Sequence, residues 1–324
     1  MPPSARQGVR MNLLTSMRYL AVLAEHKHFG RAAAACHITQ PALSNALRAL
    51  EAEFGVVIVQ RGRAYVGLTH EGEAVLITAR RMLRDDEVLR QELRGSEASP
   101  QGRLRMAAVP TATPLLSRFA ATLQARHPGI MPVVLSMSSQ QLEQGLDDLS
   151  LDLALGYSER MQAQRVGLRA WPQCIERYYL LRRTQGAPSD RLKIGAPLPW
   201  ADAARLPLAM LTPDMHNRAI IDQALHDAGM PVAPALETNS VLTLVLSVVT
   251  GKVCSILPGA MVAAARSERQ LEALPLVAPD VRTPIGFMTQ RGPRISRALQ
   301  AALALLDTED WKAQLATHSG ELQD

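Results

Sequence analysis

Cysteine is scarce: the 324 residues hold three, at Cys36, Cys174 and Cys254. Few, far apart and odd in number, they exclude a disulfide scaffold and any CxxC metal site. No apolar run reaches the ~18 residues of a membrane-spanning helix, so no membrane partner is expected. The first ten residues, MPPSARQGVR, lack the apolar core of a leader, which points to the cytoplasm. The loops of nucleotide chemistry, GxGxxG and GxxxxGK followed by Ser or Thr, do not occur. Neither does the GxSxG elbow of a hydrolase. His26 and His28, like His216 and His226, have no Cys or carboxylate at ligand spacing and read as solvated or capping residues. Asp147 and Asp148 read as a solvated helix end rather than a catalytic pair. The expectation is no metal, no cofactor and no catalytic residue, so not an enzyme.

What remains is a globular composition, 47% hydrophobic and 20% charged, long enough for two or three domains. The formal charge is +5, and it is uneven. Residues 1–95 carry 13 basic and 9 acidic residues, a net +4, and the other 229 carry +1. A basic first module on a near-neutral body points to nucleic acid. Between them Gly95-Ser-Glu-Ala-Ser-Pro-Gln-Gly102 reads as a linker. No internal repeat of fixed period is present.

Residues 29–54 read as two short helices. Phe29, Ala32, Ala33 and Cys36 share one helical face. His37-Ile38 breaks the period, Thr39 caps a new helix and Pro41 is tolerated in its first turn. Leu43, Leu47, Leu50 and Phe54 form the second stripe. At ~100° per residue Pro41, Ser44, Asn45 and Arg48 lie opposite it. This is a helix-turn-helix whose second helix fits a major groove. The run VVIVQRGRAYVGL after Gly55 reads as a β-hairpin with Arg61 and Arg63 at its tip, a wing suited to phosphates. Glu71–Arg94 reads as a long helix with an apolar seam at Val75, Ala79, Met82, Leu89 and Leu93, suited to dimerisation.

Beyond the linker, strands alternate with helices: Leu104–Val109, a helix to Arg126, Met131–Met137, Gln140–Leu149 and Leu151–Tyr157. A second set follows at Tyr178–Arg182, Leu208–Leu211, Ile220–Ala228, Leu242–Val249 and Val253–Leu257, the apolar Leu242–Val249 helix being expected buried. Ile285–Gln290 and a helix from Ser296 close the chain. The rhythm implies parallel sheets covered by helices. Cys36, Cys174 and Cys254 are expected in buried positions.

The run from Met11 to Leu93 resembles the DNA-binding domain of the LysR-type transcriptional regulators. The matching signatures are Phe29-x-x-Ala-Ala33, Gln40-Pro-Ala-Leu-Ser44, Leu50-Glu51, Phe54-Gly55 and Leu68-Thr69-x-x-Gly72, and the likeness continues to about residue 308. The family usually has an aromatic where Val59 stands and often a basic residue where Gly67 stands. The first is expected to be a change of packing, and the second to weaken one phosphate contact. Residues 1–10 precede the family start and read as either a tail or an upstream choice of start codon.

The resemblance implies a multidomain chain: an α-rich winged helix-turn-helix over 11–69, a linker and dimerisation helix over 70–94, and a hinge linker over 95–102. An α/β two-lobed effector domain like a periplasmic binding protein follows over 103–308. Its lobe one takes in 103–174 and 280–308, its lobe two 175–279, and 309–324 is a tail. The resemblance places Arg31, Thr39, Gln40, Pro41, Ser44, Asn45, Arg48, Arg61 and Arg63 on double-stranded promoter DNA. It implies a homotetramer, a dimer of dimers, with RNA polymerase as a further partner.

Ligands in such folds sit beyond strand ends, where helix N-termini offer free N–H groups. Thr111, Thr113, Ser138, Ser139, Thr212, Asn239 and Ser240 occupy such places. Hydroxyl and amide donors with no neutralising carboxylate suit a small organic acid or inorganic anion. The segments Glu237–Ser240 and Ser136–Ser139 look most like the cyanate-responsive branch of the family, making cyanate or formate the expected effector. The alternatives are a two-lobed solute-binding protein and an enzyme with an accessory winged helix. The first needs a leader and no helix-turn-helix, and the second needs a base beside the cleft hydroxyls.

Overall fold

A computed structural model describes residues 12–62, 65–93, 99–160, 167–184, 190–291 and 295–322. The chain divides into two compact units, residues 1–98 with 148–150 and the remainder.

The first unit is built on three short helices. Helix α1 (Leu13–His26) is capped by the Asn12 side chain, which accepts from the Thr15 N–H at 3.1 Å. It contributes Met17, Leu20 and Leu23 to the core, a third helix that the two-helix reading omits. Helix α2 (Phe29–Ala35) is capped by His28, whose Nδ1 accepts from the Arg31 N–H, so this histidine is a cap as its sequence setting suggests. After a turn through His37, Thr39 caps α3 (Gln40–Phe54) by accepting from the Ala42 N–H at 3.3 Å. Leu43, Leu47 and Leu50 are fully buried against Leu20, Leu23, Ala32 and Ala33. Phe54, expected on that stripe, is instead exposed, because it is the last residue of α3 before the Gly55 cap turns the chain away.

The wing is shorter than its apolar run suggests. Strand β1 (Val59–Arg61) pairs antiparallel with β2 (Tyr65–Leu68), and Val57, ahead of the pairing, is exposed. Val59, where the family prefers an aromatic, is buried. Helix α4 (His70–Leu93) follows.

The second unit holds two lobes. In lobe one the sheet order is β4 (Ile130–Ser136), β3 (Gly102–Ala108), β5 (Leu153–Tyr157), β14 (Thr283–Gln290), β6 (Leu168–Glu176). The first three strands are parallel, and β14 runs antiparallel to both neighbours. The sheet is therefore mixed, not parallel throughout. The βαβ rhythm holds only as far as β5; β6 and β14 carry the chain out of the lobe and back. Strand β6 contains Pro172 and lies at the sheet edge, where a missing N–H is tolerated. Helices α5 (Thr113–Arg126) and α6 (Ser139–Asp147) pack on this sheet.

Lobe two is also mixed. Its order is β11 (Leu236–Thr238), β10 (Leu208–Leu211), β12 (Cys254–Pro258), β7 (Tyr178–Arg183), β13 (Leu271–Val277), β8 (Lys193–Ile194), with β9 (Leu198–Pro199) also on β13. Helices α7 (Trp200–Ala203) and α8 (His216–Asp227) cover one face. Helices α9 (Val241–Thr250) and α10 (Gly259–Ala264) pack toward the other. Helix α9 is expected to be buried, yet Leu242 and Leu246 are exposed. A helix on one side of a sheet buries one stripe, here Val241, Leu244 and Val248.

The expected tail, 309–324, is not one. Helix α11 (Arg297–Leu306), capped by Ser296, is followed by α12 (Glu309–His318), capped by Thr308. Trp311 is almost fully buried between Phe119 and Phe287, its ring centroid 5.1 Å from Phe119, and its Nε1–H donates to Gln173 Oε1 at 2.6 Å. The short stretch after Leu306 shows little apolar periodicity because α12 buries only Trp311 and Leu315.

Candidate nucleic-acid interface and effector cleft

Helix α3 divides cleanly into two faces. Its leucines are in the core, while Thr39, Gln40, Pro41, Asn45 and Arg48 are exposed and Ser44 is half-buried. Arg48 Nη1 donates to Asn45 Oδ1 at 3.3 Å, so the amide and the guanidinium stand side by side on the open face. That row offers the donor and acceptor pairs that read base edges. Thr39 also serves as the helix cap. Arg31, at the start of α2, is exposed and its Nη2 donates to the His26 carbonyl at 3.1 Å. Arg61 ends β1 at the wing, and Arg63 lies outside the described residues.

The remaining matched motifs are scaffolding, with a mechanism for each. The Glu51 Oε1 accepts from the N–H groups of Ile58 and Val59, at 3.0 and 3.1 Å, clamping the start of the wing onto α3. Thr69 Oγ1 donates to the Val57 carbonyl at 2.5 Å and accepts from the Gly72 N–H at 2.9 Å, capping α4. Gly72 has no substitute there, since a Cβ would lie 2.1 Å from the Ile58 carbonyl oxygen.

In the effector domain the expected cleft residues fall into two groups. Thr113, Asn239 and Ser240 line a cavity of about 680 Å³ between the lobes, together with Ser136, Leu242, Val245, Met261 and Glu268. Its wall is largely apolar and carries the Glu268 carboxylate. Ser240 is occupied as the α9 cap, accepting from the Thr243 N–H. Ser138 is occupied too, in a reciprocal cap with Gln141.

The second group lies deeper. Thr111, in the 3₁₀ turn Pro110–Ala112, is buried, and its hydroxyl is 3.2 Å from Tyr157 Oη. Tyr178 Oη is 3.2 Å from Thr283 Oγ1 and accepts from Asn217 Nδ2 at 3.3 Å. Tyr157 and Thr283 belong to lobe one, Tyr178 and Asn217 to lobe two, so these groups tie the lobes together. Burial pushes the Tyr157 hydroxyl up to about 12 and Tyr178 well above its ordinary value, so both stay neutral donors. Among the described residues three buried polar atoms at these strand and helix ends have no hydrogen-bond partner: Ser139 Oγ at the head of α6, Thr212 Oγ1 beyond β10 and Asn217 Oδ1 in the first turn of α8. An unpaired buried polar atom costs about 1–3 kcal/mol. The half-buried His216 ring stands 4.8 Å from Tyr157, its pKa lowered by burial and by the Arg160 charge. The nearby cations are already matched, Arg160 by Glu143 and Arg218 by Asp222 and Glu237.

Sequence reasoning missed Tyr157, Tyr178, Asn217, His216 and Thr283. The available signal was their position at strand or helix ends beside the lobe crossings. Among the described residues no cluster of His, Cys, Asp and Glu is placed to hold a metal, and no helix is long and apolar enough to cross a membrane.

Two family models match the chain. "Bacterial regulatory helix-turn-helix protein, lysR family" covers residues 14–73, and "LysR substrate binding domain" covers 97–310. The SDS degradation transcriptional activation protein of Pseudomonas sp. (strain ATCC 19151) is 31% identical over 93% of this chain and 97% of that protein. The hydrogen peroxide-inducible genes activator of Escherichia coli O6:H1 is 30% identical over 90% of this chain and 94% of that protein. The structure of full-length CbnR complexed with its target DNA aligns with a TM-score of 0.61 at 22% identity, over 90% of this chain and 98% of that one.

Proposed function

The chain belongs to the LysR family of bacterial DNA-binding transcriptional regulators, and from that premise we propose how it reads DNA and what moves it. The exposed row Gln40, Pro41, Ser44, Asn45 and Arg48 enters the major groove, while Arg31, Arg61 and Arg63 hold phosphates. The observation that carries this is the two-faced α3, whose polar row has no role in the core. Dimers form along α4, where Met82, Leu89 and Leu93 are exposed at helical spacing, and pair into a tetramer. The protein acts in the cytoplasm, on promoter DNA and RNA polymerase, and not as an enzyme.

The effector binds at the deeper group, among Thr111, Ser139, Thr212 and Asn217, where buried polar atoms lack partners. It is a small ligand held by hydroxyl, amide and helix N–H donors rather than by a guanidinium, with formate and cyanate as the simplest candidates. By binding one arrangement of the lobes better than another it shifts the assembly on DNA. Sensing through thiols is not part of this reading. Burial raises all three thiols, Cys174 to about 12, and the thiolate is the reactive form.

Fluorescence anisotropy with duplexes from upstream of its own gene tests the first part. Arg48→Ala should weaken specific binding about five- to 150-fold, the ~1–3 kcal/mol of a base contact, and no binding at low salt would overturn it. Calorimetric titration with formate and cyanate tests the second, and binding unaltered by Ser139→Ala with Thr212→Val would refute the site.

A further inference from the structure

Among the described residues three segments pass between the lobes. Glu176 ends β6 and Tyr178 opens β7, and the return runs from Val277 to Thr283. The third follows α12: Ser319–Leu322 leaves lobe one and places Leu322 in the core of lobe two. The Leu322 N–H donates to Tyr179 Oη at 2.7 Å, and that hydroxyl donates to the Gly320 carbonyl at 3.3 Å.

One carboxylate stands where the three meet. Glu176 is 3% exposed, and its Oε2 accepts from the N–H groups of Ala260 and Gly320, both at 3.2 Å. Its strand partner is Thr283, on the return segment. The approach is close, for a Cβ on Gly259 would lie 2.3 Å from the Gly320 oxygen. Among the described residues Glu176 forms no salt bridge. The groups around it are the Cys174 thiol at 4.0 Å and the hydroxyls of Tyr157, Tyr178 and Tyr179, and Tyr179 in turn feels the charge of Glu321 on the crossing segment. Helix α10 brings only backbone N–H, and the Arg177 guanidinium is engaged by Asp280 and Glu321.

We propose that Glu176 is a proton-operated latch that holds Ser319–Leu322 across the lobes as a third hinge strand, so that the lobes move freely only when it opens. Among the described residues no cation is paired with this carboxylate; burial raises its pKa from 4.5 to about 7, and the backbone N–H groups of Gly320, Ala260 and Gly259 oppose that rise only in part. The closed latch therefore holds a proton that the opened, hydrated one releases. Closure is strongest below the ordinary carboxylate value and weakens as pH rises toward about 7. Above that value both states are ionised and the loss is complete.

Hydrogen exchange of the full chain, without DNA or effector and corrected for intrinsic rates, tests this. Between pH 6 and 8 protection of 259–260 and 319–322 should fall roughly tenfold, one pKa unit's worth. Glu176→Gln should hold the protection seen at pH 6 at both values. A variant lacking 319–324 should lose both the protection at 259–260 and its pH dependence. Flat protection in the parent chain, or a pH dependence that survives in either variant, overturns the latch. Neither result touches the DNA-binding reading, which is measured separately.

Discussion

Replacing Gly72 by alanine sets two effects of opposite sign against each other. Gly72 lies in the first turn of α4, where helix propensity alone favours alanine by about 1 kcal/mol. Against this, the new Cβ would fall 2.1 Å from the Ile58 carbonyl oxygen, so α4 and the wing must separate by about 1 Å to reach even a tight contact. Three hydrogen bonds span that junction: Thr69 Oγ1 to the Val57 carbonyl at 2.5 Å and to the Ile58 carbonyl at 3.4 Å, and Thr69 N–H to the Ile58 carbonyl at 3.0 Å. At about 1 kcal/mol each their loss outweighs the propensity gain, for a net destabilisation of about 2 kcal/mol. Hydrogen exchange of residues 57–76 in the full chain should then accelerate roughly 30-fold. Gly67→Ala is the control, since the nearest atom to its Cβ is Gln60 Oε1 at 3.9 Å, and exchange there should stay unchanged. Exchange in Gly72→Ala that is unchanged or slower would refute the steric account of Leu68-Thr69-x-x-Gly72.

Two further outcomes follow from the burial of single side chains. Trp311→Ala should destabilise the effector domain by about 3–5 kcal/mol in urea denaturation, as expected for a core tryptophan; a change within about 0.5 kcal/mol would restore the reading of 309–324 as a tail. Hydrogen peroxide at neutral pH should produce no Cys174–Cys254 disulfide by non-reducing peptide mass analysis, because burial holds both thiols protonated. Appearance of that disulfide would reopen thiol sensing.

The exposed polar face of α3 was legible because it is local. The period of Leu43, Leu47 and Leu50 assigns the inner face of α3, and the residues between them are outward by geometry alone. Thr39, Ser240 and Ser296 announce helix starts for the same reason, and all three cap. The effector cleft was legible only as a set of strand ends. Ser138 and Asn239 look alike as polar residues before helices, yet one is consumed by a reciprocal cap with Gln141 and the other lines the large cavity. Tyr157 and Tyr178 gave no pattern, since each meets partners from a different part of the chain.

The sequence by itself determined that this is a LysR-type regulator with a helix-turn-helix, a wing, a long helix and two α/β lobes. Those features rest on periodicity, caps and motifs spanning a few turns of chain. Only the tertiary structure decided where the chain ties its lobes together. Glu176, Ala260, Thr283 and Gly320 are brought to one point by strand pairing and by the insertion of Trp311 and Leu322 into different lobes. The shift of a carboxyl to about 7 is a property of that meeting point. No window of sequence contains it, because burial without a counter-charge depends on what the rest of the chain brings alongside.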